Sequence, residues 1–181
     1  MKNKNGRKER PEEPTTGLST DPMAALHEDH VTALRYTAIL TEAAEHIRRD
    51  GFSFEAYTQI SDAIEYIDTE IRIHDRKEEN FLFPLLARHQ PDPISTLRYE
   101  HRELWSAMSQ LRMIVKDVAD GNIRGSSISE LVTATKAVAD LLSHHIAKED
   151  DVIFPMVRTM LSSEEYNQLT REFAGAAGSR R

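Results

Sequence analysis

Two stretches decide the fold: HDRKEENFLFP at 74–84 and HIAKEDDVIFP at 145–155. Each places a glutamate four residues after a histidine, His74 with Glu78 and His145 with Glu149, so the two side chains leave one helix face a turn apart. Each repeats Lys before that glutamate and closes on Phe-Pro. The stretches lie 71 residues apart (His74 to His145), and the same offset holds upstream without a gap. Leu26 falls on Leu97, His30 on His101, Leu40 on Leu111 and Ala63 on Ala134. An offset kept over that length describes two copies of one unit.

The unit is a helical hairpin. Apolar residues recur at spacings of three and four, first at Met23, Leu26, His30, Ala33, Thr37, Leu40, Ala44 and Ile47, which defines one face of a helix. Asp21 suits the N-cap, Pro22 the first turn and Gly51 the stop. A second stripe runs from Tyr57 after the cap Ser53 through His74 and Glu78 to Phe81, a third from Ile94 through His101 to Val118, and a fourth from Ile128 through His145 and Glu149 to Val152. Ser162 and Glu165 form a capping-box pattern that starts a short fifth helix. The expected fold is all-α: an antiparallel up-down-up-down four-helix bundle made of two repeated hairpins, plus a short C-terminal helix. The bundle is expected to span 23–173.

His30 stands about 20 residues before the first turn and His74 about 21 after it, so at about 1.5 Å per residue the chain returns to the same level. The interval from His30 to His74 equals that from His101 to His145, 44 residues. Six ligand-type side chains, His30, His74, Glu78, His101, His145 and Glu149, thus share one core layer. Two buried carboxylates without partners would cost several kcal/mol each, and no Lys or Arg occupies a stripe position. Imidazole with carboxylate suits iron, manganese or zinc. Four histidines and two carboxylates exceed one tetrahedral zinc and suit two metals, one histidine pair on each with both glutamates bridging. Asp29 and Glu100, each just before a histidine, read as orienting acceptors or as solvated charges. Glu79 and Asp150 also recur and read as surface charges. His27, His46, His89 and His144 read as structural.

Composition narrows the function further. The chain has 181 residues, 39% hydrophobic and 29% charged, enough for one domain with a core. The formal net charge of −7 argues against nucleic acid as the partner. No cysteine is present, which removes thiolate sites and disulfides. Residues 1–22 read as a disordered basic tail without an apolar signal segment, and 174–181 as a disordered tail. No run approaches the roughly 20 apolar residues of a membrane span, so a cytoplasmic protein is expected.

Asp29-His30, HDRKEENFLFP, Glu100-His101 and HIAKEDDVIFP together resemble the hemerythrin-like HHE cation-binding domain. The resemblance implies a four-helix bundle with a non-haem, carboxylate-bridged pair of iron ions. By position, His30 and His74 would bind one iron, His101 and His145 the other, and Glu78 and Glu149 would bridge. Oxygen-carrying members have a further histidine one turn after the third-helix ligand, where this sequence has Trp105, so the iron beside Trp105 is expected to be open. The ligand set is similar to the di-iron domain of repair-of-iron-centres proteins. The implied function is binding of dioxygen, nitric oxide or peroxide, for sensing or detoxification in oxidative or nitrosative stress. The alternative is an iron-binding and iron-donating protein without catalysis.

Overall fold

A computed structural model describes residues 21–122 and 126–178, and the expected N-terminal tail falls almost wholly outside them. The described residues are helical almost throughout and contain no strand. Helix α1 spans Pro22–Asp50, where the Asp21 carboxylate accepts the Met23 N–H at 3.0 Å. It stops at Gly51, whose φ of 91° lies in the region that side chains avoid. The second long segment is one helical path in five parts. It comprises α2 (Phe54–Tyr66), a π-helical turn (Ile67–Ile71), α3 (Arg72–Lys77), a second π turn (Glu78–Leu82) and α4 (Phe83–Leu86). Helix α5 spans Pro91–Ala119. Helix α6 (Ser127–Lys148) passes through a third π turn (Glu149–Ile153) into α7 (Phe154–Met160). Helix α8 is Ser163–Gly178, so the last helix runs past the expected boundary at 173 into part of the expected tail. Its capping box forms as expected, with Ser162 N–H on Glu165 at 2.9 Å and Glu165 N–H on Ser162 Oγ at 3.3 Å.

Helix α1 packs against α2 and α6, and α5 packs against α6. Side-chain pairs fix the direction of the neighbours. Tyr36 stacks on Tyr66 at 4.0 Å while His30 meets His74, so the second segment returns along α1. Asp68 pairs with Arg112, Asp75 with Trp105 and Glu79 with His101, so α5 runs against that segment in turn.

The π turns correct the expected stripes. Each inserts one residue into the helical ladder and rotates the residues after it. Leu82 and Ile153 are therefore buried where Phe81 and Val152 were expected, and Val152 is 47% exposed. Pro84 and Pro155 are the second residues after these turns, and without an N–H they cannot continue the ladder of an ordinary turn. The π turns at Glu78 and Glu149 obey the 71-residue repeat; the one at Ile67–Ile71 has only regular α6 opposite it.

The core is in two parts. Leu40, Ile60, Leu111 and Leu142 belong to one buried cluster, and Leu26, Phe83, Leu97, Phe154 and Leu169 to another. Between them in the chain sit the histidines; His101, for example, falls between Leu97 and Leu104 of opposite clusters. Burying those apolar faces, at about 25 cal/mol per Å², holds a polar layer that contributes nothing apolar itself. Among the described residues no helix is long and apolar enough to cross a membrane.

Candidate metal centre

All six expected ligand residues reach that layer, and none is more than 4% exposed. His30 comes from α1, His74 from α3, His101 from α5 and His145 from α6, while Glu78 and Glu149 open the two repeated π turns. Their donor atoms form two overlapping sets of four, each within 4.8 Å: His30, His74, Glu78 and Glu149, and Glu78, His101, His145 and Glu149. Each histidine pair meets through Nε2, at 3.1 Å for His30 and His74 and at 3.0 Å for His101 and His145. Glu149 spans the pairs, with Oε2 3.2 Å from His30 Nε2 and Oε1 3.1 Å from His145 Nε2. Glu78 Oε2 lies 3.5 Å from His74 Nε2 and 3.7 Å from His101 Nε2. Phe154 stacks on His30 at 5.2 Å and Phe83 on His101 at 5.6 Å, which accounts for the aromatic residue in each motif.

The opposite face of every ring meets a carboxylate. His30 Nδ1 lies 2.9 Å from Asp150, His74 Nδ1 3.3 Å from Asp29, His101 Nδ1 2.8 Å from Glu79 and His145 Nδ1 3.1 Å from Glu100. Glu79 and Asp150 are therefore not plain surface charges. Each crosses from one hairpin to orient a histidine of the other, and their recurrence in the repeat was the available signal. Asp29 and Glu100 act within their own hairpins and hold Lys77 and Lys148 respectively. Because a carboxylate accepts only, each Nδ1 carries the proton, and each Nε2 of a neutral ring presents a lone pair. With both rings neutral, as metal ligation requires, two such lone pairs face each other at 3.1 and 3.0 Å. They suit a shared cation, and outer carboxylates of this kind fix the tautomer of metal-binding histidines.

Electrostatics agree with this reading. No oxygen of Glu78 or Glu149 has a hydrogen-bond partner despite complete burial. The contacts to Nε2 are close but not aligned for hydrogen bonding, as expected of donors aimed at a common point. Burial, then the Glu149 carboxylate, pushes Glu78 well above the usual carboxylate range. Burial works against ionised Glu149 too, but His145 overrides it and holds the group well below that range. Burial likewise opposes charge on His145, yet Glu149 and Glu100 raise it to about 9. Burial also opposes charge on His30, and Glu149 and Asp150 raise it. The metal-free layer thus holds a neutral glutamic acid, an anionic glutamate and imidazoles drawn toward the cation. Divalent cations would displace those protons and satisfy all four orphaned glutamate oxygens. The buried clusters fit a metal site.

Comparison with known proteins agrees. The model of the hemerythrin HHE cation-binding domain matches residues 21–157. The chain belongs to the hemerythrin HHE cation-binding family. It is similar to the iron-sulfur cluster repair protein DnrN of Neisseria gonorrhoeae, 27% identical over 135 residues, which cover 72% of this chain and 83% of that protein. It also resembles the iron-sulfur cluster repair proteins YtfE of Salmonella typhimurium (28% over 90 residues, 48% of this chain and 41% of the relative) and of Dickeya chrysanthemi (23% over 137 residues, 74% and 61%). The matches thus span less than two thirds of both YtfE relatives.

Sequence reasoning missed Asp75. It is 4% exposed and accepts the Trp105 indole N–H at 2.9 Å, while its Oδ1 has no hydrogen-bond partner. The repeat could have flagged it, because the matching position holds Ile146. His27 is largely exposed and lies 3.3 Å from Asp150; His46, His89 and His144 contact Asp50, Glu165 and the Asp140 carbonyl away from the layer.

Proposed function

We propose that this hemerythrin HHE protein holds two iron ions and binds dioxygen, nitric oxide or peroxide there, for sensing or detoxification in oxidative or nitrosative stress. His30 and His74 would hold one iron, His101 and His145 the other, and Glu78 and Glu149 would bridge. The observation that carries the reading is the convergence of four histidine Nε2 atoms on four buried carboxylate oxygens that have no hydrogen-bond partner. The opposed side-chain pairings along neighbouring segments support the antiparallel up-down-up-down bundle in which such a centre sits between four helices. The names of the repair relatives support iron and a stress role, and a cytoplasmic site of action accords with both.

Iron bound there supplies redox and Lewis-acid chemistry toward a small ligand. The chain's own residues do the rest. Asp29, Glu79, Glu100 and Asp150 fix the four imidazoles, and Phe83 and Phe154 wall off two of them from solvent. Two histidines and two shared carboxylates fill at most four positions per ion, which leaves positions for an exogenous ligand. The test is metal content and ligand spectra. Purified protein loaded anaerobically with Fe(II) is expected to hold two irons per chain and to change its visible spectrum with nitric oxide, oxygen or peroxide. His74→Ala and His145→Ala are each expected to reduce the count. One zinc, or no metal in a stable fold, would overturn the reading.

A second reading is iron binding and donation without catalysis. It is favoured by the grouping of His27, His30 and Asp150, which links the exposed surface to the buried layer. Rapid loss of iron to a mild chelator, with no spectral response to the small ligands, would select it.

A further inference from the structure

The buried layer contains one carboxylate that the repeated pattern does not supply. Asp75 follows His74 on α3, and its two oxygens have different surroundings. Oδ2 accepts from the Trp105 indole at 2.9 Å. Oδ1 is unpartnered and lies 3.7 Å from His101 Nε2, the same separation that Glu78 Oε2 keeps from that nitrogen. Glu79 binds the Nδ1 side of His101, so His101 Nε2 and Asp75 Oδ1 both present lone pairs in a space closed to water. An unmade hydrogen bond on a buried carboxylate is costly, and no hydrogen bond among the described residues satisfies this one.

The side chain is also braced from outside. The Arg72 guanidinium lies 4.0 Å over the Trp105 ring and bonds Asp68 at 2.6 Å, while Asp68 in turn pairs with Arg112 of α5. This chain of contacts ties the indole, and through it Asp75, to two helices. The repeat-related positions hold no counterpart. At the 71-residue offset Asp75 becomes Ile146, which is buried, and Trp105 corresponds to Leu34. Both members of the polar pair are replaced by apolar residues.

We propose that Asp75 is a third carboxylate donor to the metal held by His101 and His145, that Trp105 is its positioning residue, and that the His30/His74 metal is therefore the more open of the two to an exogenous ligand. The inference rests on the two-metal reading above. It moves the open position from the iron beside Trp105, where the sequence alone put it, to the other half.

Asp75→Asn keeps the side-chain volume and an acceptor for the indole but removes the anionic donor. Wild type and variant would be loaded anaerobically with iron-57 and compared by iron count, stepwise affinity against a chelator, and Mössbauer spectra. The wild type is expected to hold two irons with two distinct quadrupole doublets. In D75N one iron is expected to bind more weakly by a factor beyond the about 10–100-fold typical of losing an outer hydrogen-bond partner. One doublet should shift or vanish while the other stays. Trp105→Phe should keep both irons, weaken the same one by about 10–100-fold and perturb the same doublet. Wild-type affinity with unchanged doublets in D75N would overturn the proposal and leave the two-iron centre standing. Fewer than two irons in the wild type would overturn the centre itself. Far-ultraviolet circular dichroism of metal-free D75N checks its fold. If it does not fold, Asp75→Glu, which keeps the charge, is expected to retain two irons with one altered doublet, and an unaltered pair would equally overturn the proposal.

Discussion

Asp150→Asn tests whether the carboxylates behind the rings set metal affinity. Asp150 and Asp29 orient the two histidines of one pair, at 2.9 Å from His30 Nδ1 and 3.3 Å from His74 Nδ1. Asparagine keeps an acceptor oxygen and loses the charge. Hydrogen bonds to charged groups contribute about 1.5–3 kcal/mol and neutral ones about 0.5–1.5, so the change should cost about 1–2 kcal/mol. At about 1.4 kcal/mol per tenfold, that is roughly 5–30-fold in affinity for the metal on this pair. Asp150 is one-quarter exposed, so water replaces little of the loss, and its contact to solvent-exposed His27 adds little. Asp29→Asn should cost less, about 2–5-fold, because its hydrogen bond is longer, its side chain is 38% exposed and it is shared with Lys77. Asp140→Asn, which breaks only an exposed pair with Lys136, is the control and should leave affinity within about twofold. The assay is competition of Fe(II) or Zn(II) against a chromophoric chelator at pH 7, with circular dichroism of each metal-free form. A D150N affinity within twofold of wild type, or a D140N loss as large as that of D150N, would refute the reasoning.

The two bridging candidates should behave differently without metal. Glu78 is already neutral there, so Glu78→Gln should barely change stability in urea, whereas Glu149→Gln strips the anion from between His30 and His145 and should cost roughly 3–5 kcal/mol. Both should lower iron below two per chain, and equal losses in the two urea titrations would refute the assignment. The pH dependence comes from His145, raised to about 9 from an ordinary 6.5. A group whose pKa is raised on folding contributes stability that is complete below the unfolded value and lost as pH rises through the folded one, so metal-free protein should weaken between about pH 6.5 and 9. Metal binding displaces the same protons and strengthens over that interval. The Tm gap between Zn(II)-loaded and metal-free protein should therefore widen as pH rises from 6.5 toward 9, and a constant or narrowing gap would count against His145 as a metal ligand.

Helices, caps and the convergence of the six His and Glu side chains were legible because they obey local rules. A three-four stripe specifies a face, Asp21 and Ser53 cap as such residues do, and equal 44-residue intervals return each histidine to the level of its partner. The π turns were not legible in the same way. The stripe through Glu78 and Phe81 keeps helical spacing, and only the packing of Leu82, Phe83 and the proline after them reveals the added residue. Glu79 and Asp150 were misread for a related reason. On an isolated helix they sit beside Glu78 and Glu149 and point outward, and their partners, His101 and His30, lie 22 and 120 residues away on other helices. Burial between hairpins, which no single-helix pattern encodes, turns these exposed-looking charges into orienting groups.

The duplicated hairpin explains why the layer is nearly symmetric and also where it departs from symmetry. Every element that a metal pair needs twice occurs twice at one offset: the histidines, the glutamates, the acceptors behind the rings, the lysines behind Asp29 and Glu100, and the stacked phenylalanines. Two copies of one half-site would yield two equivalent ions and no preferred place for a ligand. The differences at Asp75 against Ile146 and Trp105 against Leu34 lie immediately beside the ligands, and they change together from a hydrogen-bonded polar pair to an apolar one. The unpaired π turn at Ile67–Ile71 lies just ahead of His74 and Asp75 in the same helical segment. These differences make the layer unsymmetric: a carboxylate oxygen stands 3.7 Å from His101 Nε2, while the repeat-related position holds buried Ile146.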